Sequence, residues 1–115
     1  MNAVAVLDGG LVASGSHDAT IKIWDLATGA YVKILKEHSD DVLALVVLKD
    51  GRLVSGSADG MIKIWDLAKS ACVATFEVLA GPVFSLAALE GGRLASGSDD
   101  DTINIWESTL SYTLR

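Results

Sequence analysis

The residues best suited to nucleophilic chemistry are the serines that open three Ser-Gly-Ser triplets, at Ser14, Ser55 and Ser96. A serine nucleophile of the esterase type lies at the centre of a Gly-x-Ser-x-Gly turn between a strand and a helix, and the sequence contains no such motif. Because the triplet occurs three times, its serines mark equivalent positions of a repeat and not one active site. We therefore predict that the three serines are structural and that the chain is not an enzyme.

The carboxylates, histidines and glycines do not form the pattern of a metal or phosphate site. The run Asp99-Asp100-Asp101 is too compact, because a loop for a hard cation spreads its oxygen ligands over a longer stretch with a glycine turn. His17 and His38 lie in different repeats, without cysteine or glutamate at zinc spacing. The glycine turns lack the Lys-Ser/Thr of a phosphate loop. The sequence predicts no metal site and no cofactor.

The whole chain is built from a repeat. Trp24, Trp65 and Trp106 are each 41 residues apart, and in every copy Ser-Gly-Ser is followed two residues later by an aspartate and then by Ile-x-Ile-Trp. Self-similarity at a period of about 40 to 45 residues is typical of repeat architectures. The three copies of the motif are residues 11–26, 52–67 and 93–108.

The middle copy predicts four short strands, and nothing in it indicates a helix. Residues 42–48 are apolar on both alternations, as in a strand that is covered on both faces. In the third strand, Ile62 and Ile64 should point to one side, with Lys63 and Trp65 on the other. Glycine-containing turns separate the strands. The predicted strands are residues 42–48, 52–57, 61–67 and 71–76.

The motif Ser-Gly-Ser-x-Asp-x-x-Ile-Lys-Ile-Trp-Asp-Leu resembles the repeat of the WD-repeat family. Two copies end in Trp-Asp, and the third ends in Trp106-Glu107. The resemblance implies a β-propeller, in which four-stranded blades pack face to face around a channel. The expected fold is therefore all-β, with three consecutive four-stranded antiparallel blades. Their approximate bounds are residues 1–36, 42–77 and 83–115, within one propeller segment that spans residues 1–115.

The resemblance also implies a buried hydrogen-bond network in each blade, made by a histidine, a serine, an aspartate and the tryptophan. All four positions match in the second blade, and the histidine is replaced by Leu79 in the third and would precede Met1 in the first. The second blade should therefore have the most complete network. The network residues are His38, Ser55, Asp59 and Trp65 in blade 2, Ser14, Asp18 and Trp24 in blade 1, and Ser96, Asp100 and Trp106 in blade 3.

Three blades are fewer than the four to eight of closed propellers. An open arc would expose two apolar blade faces, which monomers rarely tolerate. Two alternatives follow. Copies of the chain could associate, with six blades from a dimer or nine from a trimer, or the chain could be a partial segment of a longer propeller that supplies the missing blades.

The composition limits the classes of partner. Half of the 115 residues are hydrophobic, and 9 basic against 15 acidic residues give a net charge of −6. An acidic chain is unsuited to nucleic acid, which requires a surface of Lys and Arg. The longest apolar run is far shorter than a membrane span, no signal peptide is evident, and the single Cys72 suits a reducing compartment. We expect a cytoplasmic or nuclear protein that binds neither nucleic acid nor membrane.

The function predicted from these features is that of a non-catalytic scaffold for a protein or peptide partner. The alternative is a purely structural element that completes a propeller with other copies or with missing blades. In the family, partners dock on the rim formed by the linkers between blades and the turns between the second and third strands. The matching residues are Asp41, Leu43, Pro82, Phe84, His17, Ala58 and Asp99.

The predicted partner is basic. Asp40-Asp41 and Asp99-Asp101 fall on the predicted rim, whereas the opposite rim carries Lys49, Arg52, Lys69 and Arg93. Phe84 is the candidate contact residue of greatest interest, because the equivalent positions hold Leu43 and Asn2 and so the repeat itself requires no aromatic residue there. The other interpretation is that Phe84 lines the channel.

Overall fold

The structure is a computed structural model that describes residues 2–78, 81–89, 93–98, 103–106 and 111–114. The described part is all-β, with twelve strands in three antiparallel sheets of four strands each. In each sheet the strands follow one another in chain order from one edge to the other. The prediction of three consecutive four-stranded blades is confirmed. No helix in the described residues is long and apolar enough to cross a membrane.

The strands are short and regularly spaced. Blade 1 contains β1 (Ala3–Val6), β2 (Leu11–Gly15), β3 (Ile21–Asp25) and β4 (Tyr31–Leu35). Blade 2 contains β5 (Val42–Val47), β6 (Leu53–Ser57), β7 (Met61–Asp66) and β8 (Ala71–Glu77). Blade 3 contains β9 (Val83–Ala88), β10 (Leu94–Ser98), β11 (Ile103–Trp106) and β12 (Ser111–Leu114).

The strands of blade 2 differ from the predicted bounds by one residue at four ends. β5 stops at Val47, because the Leu48 N–H turns back to the Arg52 carbonyl over 2.9 Å and so begins the hairpin turn. Gly51 lies in this turn with φ of 90°, and Gly60 lies in the turn between β6 and β7 with φ of 77°. That left-handed region is readily accessible to glycine, which explains why glycine closes both turns.

Each blade has two different faces, which we name by the residues of its third strand. The Ile face carries Ile21, Ile62 or Ile103, and the Trp face carries Trp24, Trp65 or Trp106. Between blades 1 and 2, Ile21 and Ile23 pack in one cluster with Trp65. Between blades 2 and 3, Ile62 packs with Leu94 and Trp106. The Ile face of one blade therefore meets the Trp face of the next, as the predicted alternation of side chains requires.

The inner strands hold the blades together. β5 contacts β1 and β2, and β9 contacts β5 and β6. The middle glycine of the Ser-Gly-Ser triplet permits this close approach, because a Cβ built on Gly15 would lie 2.5 Å from Val42 Cγ1 of the next blade. The same relation holds for Gly56 and Val83. The triplet glycine is thus a contact residue between blades.

The outer strands carry bulges at equivalent positions. Ile23 pairs with Lys33 and Trp24 pairs with Tyr31, so that Val32 is an extra residue on β4. Val73 is the corresponding extra residue on β8. A bulge leaves its extra residue without a partner across the ladder, and both valines are about half exposed.

Candidate functional site

Blade 2 brings together the four side chains that the family resemblance identified. His38 lies in the linker between β4 and β5, Ser55 on β6, Asp59 in the turn before β7, and Trp65 on β7. His38 Nδ1 lies 2.9 Å from Asp59 Oδ2, and His38 Nε2 lies 2.6 Å from Ser55 Oγ. The Trp65 indole N–H donates to Ser55 Oγ over 2.9 Å. We call this set the blade 2 network.

Local backbone structure fixes Asp59 in position. Asp59 Oδ1 accepts the Met61 N–H over 2.8 Å, which is the side-chain-to-backbone bond that aspartate commonly makes in tight turns. Asp59 Oδ2 accepts the Ser39 N–H over 3.0 Å. One carboxylate therefore ties the turn between β6 and β7 to the linker that carries His38.

One arrangement of protons satisfies every polar atom of the network. A neutral His38 with its proton on Nδ1 donates to Asp59, and its Nε2 then accepts from the Ser55 hydroxyl, whose oxygen accepts from Trp65. The tautomer is inferred from these partners. Because an imidazolium has no acceptor nitrogen, protonation of His38 would leave the Ser55 hydroxyl without that acceptor.

The pKa values of the pair favour the same state. Burial of the ring lowers the pKa of His38, and the opposing attraction of the Asp59 carboxylate does not overcome it. Partial burial would raise the pKa of Asp59, but hydrogen bonds from the Ser39 N–H, His38 and the Met61 N–H outweigh it and lower that pKa. The expected state near neutral pH is neutral His38 beside an ionised Asp59.

The order Asp59–His38–Ser55 has the geometry of a hydrolytic triad, in which the serine oxygen must be reachable by substrate. Ser55 is fully buried, and its oxygen already accepts the indole N–H of Trp65. What the arrangement accomplishes is to satisfy polar groups that burial would otherwise leave unpaired. The network therefore has a structural role, in which it joins the linker that carries His38 to β6, β7 and the turn between them.

The other two blades hold part of this arrangement. The Trp24 indole donates to Ser14 Oγ over 2.8 Å, and the Trp106 indole donates to Ser96 Oγ over 2.9 Å. Asp18, in contrast, is exposed, and it bonds the N–H and hydroxyl of Thr20. Its pKa is lowered by the Thr20 hydroxyl first and then by the Thr20 N–H. Leu79 and Asp100 lie outside the described residues.

Sequence reasoning missed the third residue of the triplet. Ser57 is fully buried, and its hydroxyl contacts the carbonyl oxygens of Asp40 and Asp41 at 3.1 and 2.8 Å. It also accepts the Asp59 N–H over 3.2 Å. The available signal was the recurrence of serine at this position in all three copies, as Ser16, Ser57 and Ser98.

Lowering the pH is expected to destabilise the chain through His38. An unfolded histidine titrates near 6.5, and the folded pKa of His38 lies lower, so acidification protonates the unfolded state first. The free energy of unfolding should then fall as the pH drops below about 6.5, with a slope approaching one proton per molecule. Urea denaturation from pH 7.5 to 5.5 measures this slope and stays above the range in which carboxylates titrate.

His38→Gln should remove most of the dependence of the unfolding free energy on pH. His17→Gln, which replaces the other histidine at an exposed position, should retain that dependence. An equal slope in wild type and His38→Gln would contradict the prediction.

Four of the predicted partner-binding residues lie along one edge of the blades: His17, Asp41, Ala58 and Pro82. We call this edge the linker rim; its described parts are residues 16–20, 36–41, 58–60 and 81–82. Backbone hydrogen bonds join its pieces: Ala58 N–H donates to the Asp41 carbonyl over 2.8 Å, and Val42 N–H donates to the Ser16 carbonyl over 3.0 Å. His17 therefore lies next to the start of β5, on the same edge as Asp41 and Ala58.

Phe84 is the most exposed apolar residue of the predicted set, with 51% of its surface accessible. It follows Pro82 and Val83 at the start of β9. Its equivalent Leu43 is partly buried, as are Asp41, Pro82 and Ala58, whereas His17 is exposed. Asp99 lies outside the described residues.

The opposite rim is formed in the described part of the chain by residues 7–10, 25–30, 48–52, 66–70 and 93, and its charges are mixed. Lys49, Arg52, Lys69 and Arg93 lie there, but so do the four aspartates Asp8, Asp25, Asp50 and Asp66. Arg52 Nε donates to Asp50 Oδ2 over 2.7 Å. The prediction from the sequence named the bases of this rim and left out these aspartates.

Carboxylates predominate on the linker rim. Its described charged residues are Asp18, Glu37, Asp40, Asp41 and Asp59 against Lys36. The net charge of this rim is therefore clearly negative, and that of the opposite rim is nearly balanced.

Repeated four-stranded blades, packed Ile face to Trp face with a tryptophan–serine bond in each, define a β-propeller repeat protein. The family model described as WD40, "WD domain, G-beta repeat", matches residues 3–25, 29–66 and 70–107. The chain belongs to this family. The second and third matches run from the outer strand of one blade into the third strand of the next, so the sequence repeat links neighbouring blades covalently.

Two curated relatives are similar over about one repeat. The nuclear distribution protein PAC1 of Fusarium vanettenii is 50% identical over 36 residues, which is 31% of this chain and 8% of the relative. A ribosome biogenesis protein, the WDR12 homolog of Chlamydomonas reinhardtii, is 53% identical over 34 residues, which is 30% of this chain and 8% of the relative.

Solved structures match nearly the whole fold. The WD40 β-propeller domain of Doa1 aligns with a TM-score of 0.86 and 27% identity over 91% of this chain. The structure of U3-55K aligns with a TM-score of 0.89 and 25% identity over 97% of this chain. In each case the chain spans 36% of the length of the solved structure.

Proposed function

We propose that this chain is a non-catalytic scaffold that binds a basic protein or peptide on the linker rim. The observation that carries the proposal is the exposed Phe84 near an edge whose loops are hydrogen-bonded to one another and bear mostly carboxylates. A rigid edge of this kind can present side chains to a partner with little loss of conformational entropy.

The charge distribution supports a basic partner. Glu37 and Asp40 are exposed on the linker rim, and Asp41 beside them is partly exposed. Clustered negative charge attracts a positively charged partner, accelerates its association and repels nucleic acid and anionic membranes. Binding should therefore weaken as the salt concentration rises.

Phe84 supplies the apolar part of the proposed site. Aromatic side chains contribute large contact areas to interfaces, and an exposed phenylalanine among polar groups resembles a binding hot spot. The pair Asp40-Asp41 supplies the electrostatic part. Asp40 Oδ1 accepts the Asp41 N–H over 2.8 Å, so the local backbone is held by the side chain that carries the charge.

The test uses fluorescence anisotropy with a panel of Lys- and Arg-rich peptides and Glu-rich peptides of equal length. We expect binding of basic peptides only. Phe84→Ala should weaken it by about 2 kcal/mol, or about 30-fold. The double variant Asp40→Asn/Asp41→Asn should lower the association rate and flatten its salt dependence, because asparagine retains the hydrogen-bonding oxygen and loses the charge.

The matched control is Asp8→Asn/Asp25→Asn, which removes two charges from the opposite rim. Lys69→Glu is a second control on that rim. Both should bind like wild type. Loss of binding in the controls, with normal binding by the linker-rim variants, would place the binding site on the opposite rim and contradict the proposal.

A second candidate function is that of an assembly element whose partner is another copy of the chain. It is favoured by the two outermost blade faces, where Ile103 and Val4 are about half exposed. Both candidates fit a cytoplasmic or nuclear location, in line with the names of the relatives, a nuclear distribution protein and a ribosome biogenesis protein.

A further inference from the structure

The same pair of faces docks twice within this chain. Ile21 of blade 1 and Leu45 of blade 2 share one buried cluster with Trp65. One repeat later, Ile62 of blade 2 packs with Leu86 and Trp106 of blade 3. An Ile face therefore has a known complement, which is the Trp face of the following repeat.

The two end faces present the same positions without a cover. Ile103 is 47% exposed, whereas its equivalents Ile21 and Ile62 are fully buried. Val4 is 55% exposed, whereas its equivalent Leu45 is 8% exposed. Ile105, on the same face as Ile103, is 5% exposed. Blade 3 thus offers an Ile face that is uncovered at Ile103, and blade 1 offers a Trp face that is uncovered at Val4.

A depression of about 430 Å³ marks the uncovered Trp face, lined by Val4, Val12, Trp24 and Leu26 among others. The equivalents of these four residues in blade 2 are Leu45, Leu53, Trp65 and Leu67, and all four belong to or pack on the cluster between blades 1 and 2. At that interface Ala13, Ile21 and Ile23 of blade 1 supply the opposing apolar groups. Their blade 3 equivalents are Ala95, Ile103 and Ile105.

We propose that two copies of this chain pair head to tail, with the Ile face of blade 3 in each copy against the Trp face of blade 1 in the other. The inference rests on the second candidate function, assembly by self-association, and names its surfaces. Two copies give six blades, within the four to eight of closed propellers, whereas three copies would give nine. A two-copy ring contains this contact twice and leaves no Ile or Trp face uncovered.

The experiment is light scattering coupled to size exclusion, on the full chain and on variants of each face. Wild type should have twice the chain mass of 12.0 kDa. Val4→Asp and Ile103→Lys should each be monomeric, because each disrupts both contacts of its own dimer. An equimolar mixture should recover a one-to-one dimer, with one native contact and one contact that pairs Asp with Lys.

The control position is Val73, the bulge residue of β8 in blade 2, whose two faces both pack against neighbouring blades. Val73 is 48% exposed, so Val73→Asp and Val73→Lys repeat the same chemistry away from the end faces. Both should remain dimeric. Far-UV circular dichroism verifies the fold of every variant, and Val4→Ser and Ile103→Ser replace any charged variant that loses its sheet signal.

A monomeric wild type would overturn the proposal, as would an oligomer larger than two copies. If the dimer formed instead through two like faces, the variant of the unused face would stay dimeric. Mixing the two variants would then form no additional dimer, and this result would also overturn the proposal. Loss of the dimer in either bulge control would also overturn it. These results are independent of peptide binding at the linker rim, so this proposal and the scaffold proposal can fail separately.

Discussion

Trp65→Ala is expected to lower the free energy of unfolding by about 3–5 kcal/mol, the range for removing a large buried aromatic side chain. Trp65 is 1% exposed and lies in the cluster between blades 1 and 2. Its removal would leave a cavity at the contact that joins the blades. It would also remove the indole N–H that donates to Ser55 Oγ.

Ser55→Ala separates the two contributions to this loss. The substitution removes the shared hydroxyl and leaves the Trp65 indole and His38 Nε2 without their partner, and it creates almost no cavity. We expect it to cost roughly 1–3 kcal/mol, clearly less than Trp65→Ala.

Urea denaturation followed by circular dichroism, at one chain concentration for all variants, measures both values. The fixed concentration matters because self-association would make stability depend on it. If Ser55→Ala cost as much as Trp65→Ala, the contribution of packing between the blades would be smaller than the burial of Trp65 indicates.

The strands and the sidedness of each blade were predictable from the sequence. Strict alternation in the third strand separates Ile62 and Ile64 from Trp65, and the glycine turns mark the strand ends. The four positions of the blade 2 network came from the family resemblance, since the spacing of His38 from Ser55 does not by itself bring them together. Asp18, the blade 1 equivalent of Asp59, is instead exposed and bonded to Thr20.

Features that depend on a neighbouring strand or blade could not be predicted. The bulge at Val73 is set by pairing across β7 and β8, and nothing in the alternation of β8 signals an extra residue. The Lys33 ammonium of blade 1 donates to the Leu67 carbonyl of blade 2. The two residues belong to different repeats, and no other copy of the repeat has a lysine at the position of Lys33. The near balance of charge on the opposite rim likewise depends on which aspartates lie beside the bases there, as Asp50 lies beside Arg52.

The triplet glycine is the clearest case of such dependence, because its role appears only when the next blade is in place. The sequence places this glycine inside a predicted strand, and a glycine in a strand often marks the close approach of another backbone. In the structure, Gly56 is buried, and a Cβ there would lie 2.5 Å from Val83 Cγ1 and 3.3 Å from Leu86 Cδ1. Gly15 stands in the same relation to Val42.

Gly56→Ala is therefore expected to lower the free energy of unfolding by about 3 kcal/mol, the upper end of the usual cost of overpacking a core. Val83 is buried at the start of β9, and moving it would displace the strand that holds blade 3 on blade 2. The added methyl group should thus separate the two blades locally. Urea denaturation with circular dichroism as the probe measures the loss.

A double-mutant cycle with Val83→Ala tests the cause. Val83→Ala alone should destabilise the chain by leaving a small cavity, but it also makes room for the Cβ of residue 56. The double variant should accordingly be more stable than the sum of the two losses predicts, with a coupling of about 1 kcal/mol or more. Strictly additive losses would mean that Gly56 is required for its own strand and not for the contact with blade 3. A favourable coupling would assign the recurrence of Ser-Gly-Ser to two separate demands: the flanking serines satisfy buried polar groups within a blade, and the glycine admits the valine of the next one.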